Sequence, residues 1–109
     1  MLSFDLNPFD ALIQIFQEKY PEINAEIFFA SDIEKHTEPG VHGVTNFPDD
    51  GTEPFILIST KISVESAIEV LAHELAHLAI GPDTEQEHCK NWESVFNWLH
   101  EQYCHRIST

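Results

Sequence analysis

The sequence predicts an α+β domain with one helix, a small three-stranded sheet and two further helices. Apolar residues recur at helical spacing in residues 8–20 and again from Ser63 onward. Short segments rich in Ile, Val and Phe, bounded by Pro, Gly and Asp, lie between these regions. Because the chain has 109 residues and no Pro/Gly/Ser-rich linker, we expect residues 1–109 to form a single domain.

The first predicted helix covers residues 8–20. Its apolar side chains share one face: Phe9, Leu12, Ile13, Phe16 and Tyr20. Asn7 suits the N-cap position and Pro8 the first helical position. Pro21 is expected to end this helix.

Three strands are predicted next, at residues 23–30, 41–47 and 55–60. The polar segment 31–40 predicts a loop or an irregular hairpin. Residues 48–51, Pro-Asp-Asp-Gly, supply turn chemistry between the second and third strands.

The second and third strands differ in their expected places in the sheet. Residues 55–58, Phe-Ile-Leu-Ile, are apolar on both faces, which is typical of an inner strand. Pro48 instead marks the preceding strand as a possible edge strand. Such an edge could hold an extended peptide.

A second helix is predicted from the N-cap Ser63 to Gly81-Pro82, with Glu65 in its first turn. His73 and His77 lie opposite its predicted apolar stripe. That stripe comprises Val64, Ala67, Ile68, Leu71, Ala72, Leu75, Leu78 and Ala79.

The last helix is predicted to start at Asp83 or Thr84 and to extend to about Cys104. His88 shares its apolar face and is expected to point inward, toward the preceding helix. The other residues of that face are Trp92, Val95, Phe96, Leu99 and Tyr103.

The sequence His-Glu-Leu-Ala-His occupies residues 73–77 of the second helix. Two histidines four residues apart differ by roughly 40° in azimuth, so both rings can bind one ion. Neutral imidazoles suit Zn²⁺, and three protein ligands with one open position allow the metal to activate a water molecule. Glu74 would act as general base on that water. The alternative is that His73 and His77 belong to the solvated face of an amphipathic helix.

The third metal ligand is predicted to be His88, since it is directed toward the helix that carries the other two histidines. Asp83 and Glu85 are alternative ligands. Asp83 also suits a helix N-cap with Gln86 completing a capping box. Glu85 also suits the first helical turn, where an acid favours the helix dipole.

The remaining histidines have no partner at metal-ligand spacing and are expected at surface or loop positions: His36, His42, His100 and His105. His42 has an alternative, because it begins the predicted edge strand and could face the cleft. Cys89 and Cys104 are predicted to be small packing residues.

Residues 73–83 together with His88-Cys-Lys-Asn-Trp92 resemble the small zincin-like metallopeptidases of the SprT-like and WLM types, also called minigluzincins. The resemblance covers about the last half of the chain. It implies a minimal zincin-like fold and Zn²⁺ as cofactor. It also implies His73, His77 and His88 as ligands and Glu74 as the catalytic acid/base.

Two positions depart from the family patterns. Asp83 follows Gly-Pro at a position where WLM-type sequences can carry a ligand histidine, so the third ligand could lie there. Cys89 follows His88, where SprT-like sequences favour glycine.

The net charge is −14, with 19 acidic and 5 basic residues and no Lys/Arg cluster. We therefore expect no nucleic acid or membrane partner, although an acidic surface can attract basic proteins. Residues 1–10 lack the basic start of a signal peptide, and no apolar segment is long enough to span a bilayer. The two cysteines form no disulfide framework, which favours the cytoplasm.

The predicted function is a zinc-dependent metallopeptidase that hydrolyses peptide bonds in a peptide or protein substrate, with Glu74 as general base. The alternative is a catalytically inactive zincin-fold binding or adaptor module with a structural or vestigial metal site.

Overall fold

The computed structural model describes residues 8–31, 33, 42–81 and 90–107. Within this part of the chain it is a small α+β fold with three helices and a three-stranded mixed sheet. The elements in chain order are α1 (Pro8–Lys19), β1 (Glu26–Ala30), β2 (Gly43–Asn46), β3 (Phe55–Ser59), α2 (Val64–Ile80) and α3 (Lys90–Ile107). The predicted order of one helix, three strands and two helices is confirmed.

The sheet has the order β1-β3-β2, with β3 parallel to β1 and antiparallel to β2. The predictions of an inner third strand and an edge second strand are therefore confirmed. β1 and β2 occupy opposite edges and do not pair with each other. The loop or irregular hairpin predicted at residues 31–40 falls almost entirely outside the described residues.

The turn between β2 and β3 has the chemistry that its sequence predicts. Gly51 has φ +85°, a conformation that glycine adopts without steric cost. Asp50 Oδ1 accepts hydrogen bonds from the backbone N–H of Thr52 at 3.0 Å and from its hydroxyl at 2.6 Å. These bonds stabilise the turn between β2 and β3.

All three helices contribute to one apolar core against the sheet. Its large, fully buried side chains are Leu12, Ile15, Ile56, Ile58, Leu71, Leu75 and Leu99. Each such side chain contributes about 1.5–3 kcal/mol of burial free energy relative to full exposure. This core holds α2 between the sheet and the other two helices.

Helix α1 follows its predicted pattern. It begins at Pro8, and its final backbone hydrogen bond runs from Tyr20 N–H to the Phe16 carbonyl at 2.9 Å, immediately before Pro21. The predicted N-cap, Asn7, lies outside the described residues. Lys19 at the end of the helix lies 4.3 Å from the ring centroid of Trp98 on α3.

Helix α2 has the predicted boundaries. The Ser63 side chain accepts a hydrogen bond from Ser66 N–H at 3.1 Å, and Gly81 ends the helix with φ +96°. One part of the predicted apolar stripe is wrong, because Val64 is 59% exposed. Conversely, Glu74 and Ala76 are buried although they do not belong to the predicted stripe. The reason is that the helix contacts the sheet as well as α1 and α3.

Helix α3 buries Trp92, Val95 and Leu99 as predicted, with Phe96 and Tyr103 half-buried. It continues to Ile107, beyond the end predicted near Cys104. The predicted start at Asp83 or Thr84 lies outside the described residues. Among the helices that the structure describes, none is both long and apolar enough to span a membrane.

The packing role predicted for Cys104 is wrong, because its side chain is exposed. The preceding residue, Tyr103, occupies the inner face, and one residue further is a rotation of about 100° around a helix. Cys89 lies outside the described residues.

Candidate functional site

His73 and His77 bring their ring nitrogens together on α2. The two Nε2 atoms are 3.1 Å apart, and the ring centroids are 4.7 Å apart at 65°. Two nitrogens bound to one tetrahedral zinc at about 2.0–2.1 Å are separated by about 3.3 Å. A direct hydrogen bond between two neutral imidazoles gives a similar distance. The pair is therefore arranged so that one ion can replace that hydrogen bond with little movement.

Trp92 of α3 lies against both histidines. Its ring centroid is 4.8 Å from that of His73 and 5.5 Å from that of His77. Its Nε1–H donates to the His73 carbonyl oxygen at 3.2 Å. Trp92 also stacks on Phe96, with centroids 5.1 Å apart and planes 9° apart. The histidine pair is thus half-buried at the α2–α3 interface, so the solvated-face alternative does not describe it.

Glu74 is only 7% exposed, and it is held by β2. The Thr45 hydroxyl lies 2.8 Å from Oε1 of Glu74 and 3.1 Å from its backbone carbonyl oxygen. A hydroxyl has one proton to donate, and hydrogen bonds to carboxylates are the stronger kind. The carboxylate predicted to act as general base is therefore attached to the edge strand.

Gly43 allows β2 to approach α2 closely. A Cβ atom at this position would overlap Val70 Cγ1 and would lie 3.3 Å from Glu74 Cγ and 3.4 Å from Glu74 Oε2. A larger residue therefore requires a shift of the Val70 side chain, of the strand or of the helix. Glycine at this position therefore places the edge strand directly over Glu74.

The backbone of β2 has a defined outward side. Ser59 N–H donates to the His42 carbonyl at 2.8 Å, which makes His42 and Ser59 a hydrogen-bonded pair of the antiparallel ladder. Because such pairs alternate with non-bonded ones, Gly43 and Thr45 direct their N–H and C=O groups away from β3. In the part of the chain that the structure describes, no strand pairs with this side of β2.

A cleft of about 460 Å³ opens between β2, α2 and α3. Its lining residues are His42, Gly43, Ser66, Glu69, Val70, His73, Glu74 and Phe96. His42 was predicted either to be a surface or loop residue or to face the cleft. The structure supports the second interpretation, because this exposed residue lines the cleft. His100 and His105 are exposed on α3 as predicted, and His36 lies outside the described residues.

The third-ligand prediction falls on residues outside the described part of the chain: His88 and its alternatives Asp83 and Glu85. The residues that are described contain no group of three or more His, Cys, Asp or Glu side chains placed to hold a metal ion. They do supply two convergent imidazoles beside a buried carboxylate. Imidazole nitrogens are donors that zinc favours, so this partial set fits zinc.

Thr45 and Gly43 are site residues that sequence reasoning missed. Both lie on the strand predicted as an edge, and Gly43 is the second residue after the Val41 start of that prediction. The sequence could have indicated a close backbone approach, which an isolated glycine in a strand often marks.

No family model, no curated protein and no solved structure matches this chain.

Proposed function

We propose that this chain is a small zinc-dependent metallopeptidase with a single zincin-like domain, as its resemblance to the SprT-like and WLM families implies. The observation that carries the proposal is the 3.1 Å separation of the His73 and His77 Nε2 atoms beside the buried carboxylate of Glu74. The open cleft beside these residues supports a hydrolytic role over a purely structural one, because a reaction requires access for a substrate.

His73, His77 and His88 would hold the zinc ion, with Asp83 or Glu85 as alternatives to His88. When bound, zinc polarises a water molecule and lowers its pKa toward neutrality. Glu74 would accept the proton of the attacking water and donate it to the leaving amine. The hydrogen bond from Thr45 would hold Oε1 of the Glu74 carboxylate in a fixed orientation during this transfer.

The edge strand would hold the substrate. Gly43 and Thr45 present backbone donors and acceptors to an extended peptide, which would lie beside β2 along the cleft that Gly43 and Glu74 line. Exclusion of water by such a peptide would strengthen the interactions at the reacting carbonyl.

Metal analysis of the purified protein tests the ligand set. We expect about one zinc ion per wild-type chain, because the proposed ligands form a single tetrahedral site. His73→Ala and His77→Ala should lose the zinc, whereas Glu74→Gln should retain it. His88→Ala, Asp83→Ala and Glu85→Ala identify the third ligand, since only one of them should lose the metal. A wild-type protein that neither contains nor takes up zinc would contradict the proposal.

Peptide hydrolysis tests the role of Glu74 separately. We expect zinc-loaded Glu74→Gln to lose at least two orders of magnitude in kcat, consistent with the loss of a general base. Glu65→Gln, an exposed residue at the start of the same helix, is the matched control. Hydrolysis by Glu74→Gln at the wild-type rate would exclude Glu74 as the base even if zinc is present.

A second candidate is a zincin-fold binding module with a structural or vestigial metal. The net charge of −14 favours it, because an acidic surface can attract a basic protein partner. Here the site would be closed by a fourth protein ligand such as Asp83 or Glu85. Zinc binding without hydrolysis of any peptide that the protein binds would favour this candidate.

The proposal places the protein in the cytoplasm. The chain has only two cysteines, which give no disulfide framework, and this composition favours a reducing compartment. Labelling of Cys104 with a thiol reagent in intact and lysed cells, compared with a cytoplasmic marker, would test this location.

A further inference from the structure

The cleft between α2 and α3 is lined by one exposed acidic side chain and by half-buried apolar side chains. Glu69 is exposed and lies four residues before His73 on the helix. Val70 and Phe96 line the same cleft and are half-buried. Among the described residues that line it, none is Lys or Arg. The cleft thus combines a carboxylate with apolar surface.

The charge of the whole chain reinforces that of Glu69. The net charge of −14 attracts cations over distances of about one Debye length, roughly 8 Å at physiological ionic strength. The N-terminal end of α2 carries the opposing charge of the helix dipole, about half a positive charge. Glu65 and Glu69 each contribute a full negative charge along that helix, so the acidic side chains dominate.

A Lys or Arg side chain matches this combination. Its aliphatic stem can cover apolar surface while its charged group stays at the solvent boundary. The stem would contact Val70 and Phe96, and the charged group would reach the Glu69 carboxylate. We propose that Glu69 is a specificity-determining residue that selects substrate peptides with a basic side chain near the cleaved bond. This inference rests on the proposed function and names its substrate class.

Helix geometry sets the position of the basic residue. Glu69 and His73 are separated by about 6 Å along the axis, at 1.5 Å per residue. The selected Lys or Arg side chain therefore contacts Glu69 about one helical turn from the proposed metal ligand His73, on the side toward the start of α2.

Peptide binding to zinc-loaded Glu74→Gln tests the inference without requiring turnover. The probes are fluorescein-labelled alanine-based octapeptides that carry a single lysine, norleucine or glutamate at each position in turn. Norleucine retains the apolar stem and lacks the charge. We expect lysine at one position to bind about fivefold more tightly than norleucine, the effect of one partly exposed ion pair.

Glu69→Gln in the Glu74→Gln background should remove this preference, and Glu69→Lys should reverse it in favour of glutamate. Glu26→Lys is the matched control, because Glu26 is exposed on β1 at the opposite edge of the sheet. It changes the net charge as much as Glu69→Lys does and should leave the preference unchanged.

Two results would overturn the inference. One is equal binding of the lysine and norleucine peptides at every position. The other is an equal loss of the preference in Glu26→Lys and Glu69→Lys, which would assign it to the overall charge. If the wild type binds lysine peptides selectively through Glu69 and yet hydrolyses none, the peptidase proposal fails while the binding preference stands. If it hydrolyses peptides without regard to lysine, only the inference about Glu69 fails.

Discussion

The hydroxyl of Thr45 lies 2.8 Å from Oε1 of Glu74 and connects the edge strand to the helix that carries both histidines. These two residues are 29 positions apart in the chain. Their contact makes the orientation of the Glu74 carboxylate depend on the position of β2. A peptide that pairs with β2 would therefore act on the same strand that orients the proposed base.

Replacing Thr45 with Val should lower kcat about tenfold while zinc content stays at the wild-type level. Valine keeps the shape of threonine and removes the donor, and a hydrogen bond to a charged group is worth about 1.5–3 kcal/mol. Steady-state hydrolysis combined with metal analysis measures both quantities. Thr45→Ser, which retains a hydroxyl, should recover most of the rate. A Thr45→Val variant with wild-type kcat would show that the hydrogen bond does not orient the proposed base.

Gly43→Ala should destabilise the protein by about 1–3 kcal/mol, the usual cost of inserting a methyl group into packed surroundings. The new Cβ would overlap Val70 Cγ1. Chemical denaturation measures the free energy of unfolding. Because the clash involves this one side chain, Val70→Ala should restore part of the stability lost in Gly43→Ala.

Gly51→Ala is the control for the Gly43 prediction. Its Cβ would meet nothing within 4 Å, but its backbone has φ +85°. The cost there is conformational, about 1–2 kcal/mol, and should not depend on Val70. If Val70→Ala changes the stability of the Gly43→Ala and Gly51→Ala proteins equally, the steric explanation for Gly43 is wrong.

The helices of this fold could be predicted because the apolar residues that recur at helical spacing in the sequence are largely those that the helices bury in the core. Leu71 and Leu75 of α2 are one turn apart and both buried, and Ser63 caps the helix as its residue type predicts. Val64 is an exception, because it belongs to the predicted apolar stripe and is exposed. Helical periodicity indicates which side faces the core, but it does not indicate how far along the helix the core extends.

The site was only partly predictable for a related physical reason. His73, Glu74 and His77 are adjacent on one helix, so local geometry brings them together. The contacts of Thr45 and Gly43 with α2 depend on how a distant strand packs, and no local pattern specifies that packing. The parallel pairing of β1 with β3 is likewise a tertiary arrangement, whereas the turn residues before β3 predicted its pairing with β2.

Thr52→Val should raise the pKa of Asp50 toward its ordinary value. The Thr52 side-chain hydrogen bond is the largest cause of the lowered pKa of Asp50, followed by the Thr52 backbone N–H. Because the folded-state pKa is lowered, the contribution of Asp50 to stability is present above its unfolded pKa. It is lost as the pH falls through the folded-state value.

Carboxyl NMR titration of both proteins measures the change in the Asp50 pKa. Thr52→Ser is the control, because it keeps the hydroxyl and should keep the lowered pKa. An unchanged Asp50 pKa in Thr52→Val would assign the shift to the backbone bond alone.

Trp92→Phe should weaken zinc binding while leaving the fold intact. Phenylalanine retains an aromatic ring against both histidines but cannot donate to the His73 carbonyl, a bond of 3.2 Å in the wild type. Loss of this partly buried hydrogen bond should destabilise the packing of α2 against α3 by about 1 kcal/mol, as for a typical hydrogen bond. Since 1 kcal/mol corresponds to about a fivefold change in an equilibrium constant, we expect the zinc affinity to fall by about that factor. Competition with a chromophoric chelator measures the zinc affinity.

Trp98→Phe separates the local effect from a general loss of aromatic packing. Trp98 lies on the same helix, is half-buried and contacts Lys19 rather than the histidines. Its replacement should leave zinc affinity unchanged. Zinc addition should alter tryptophan fluorescence in Trp98→Phe, where Trp92 remains beside both imidazoles, and should have little effect in Trp92→Phe. Equal fluorescence responses in the two variants would show that zinc binds away from His73 and His77.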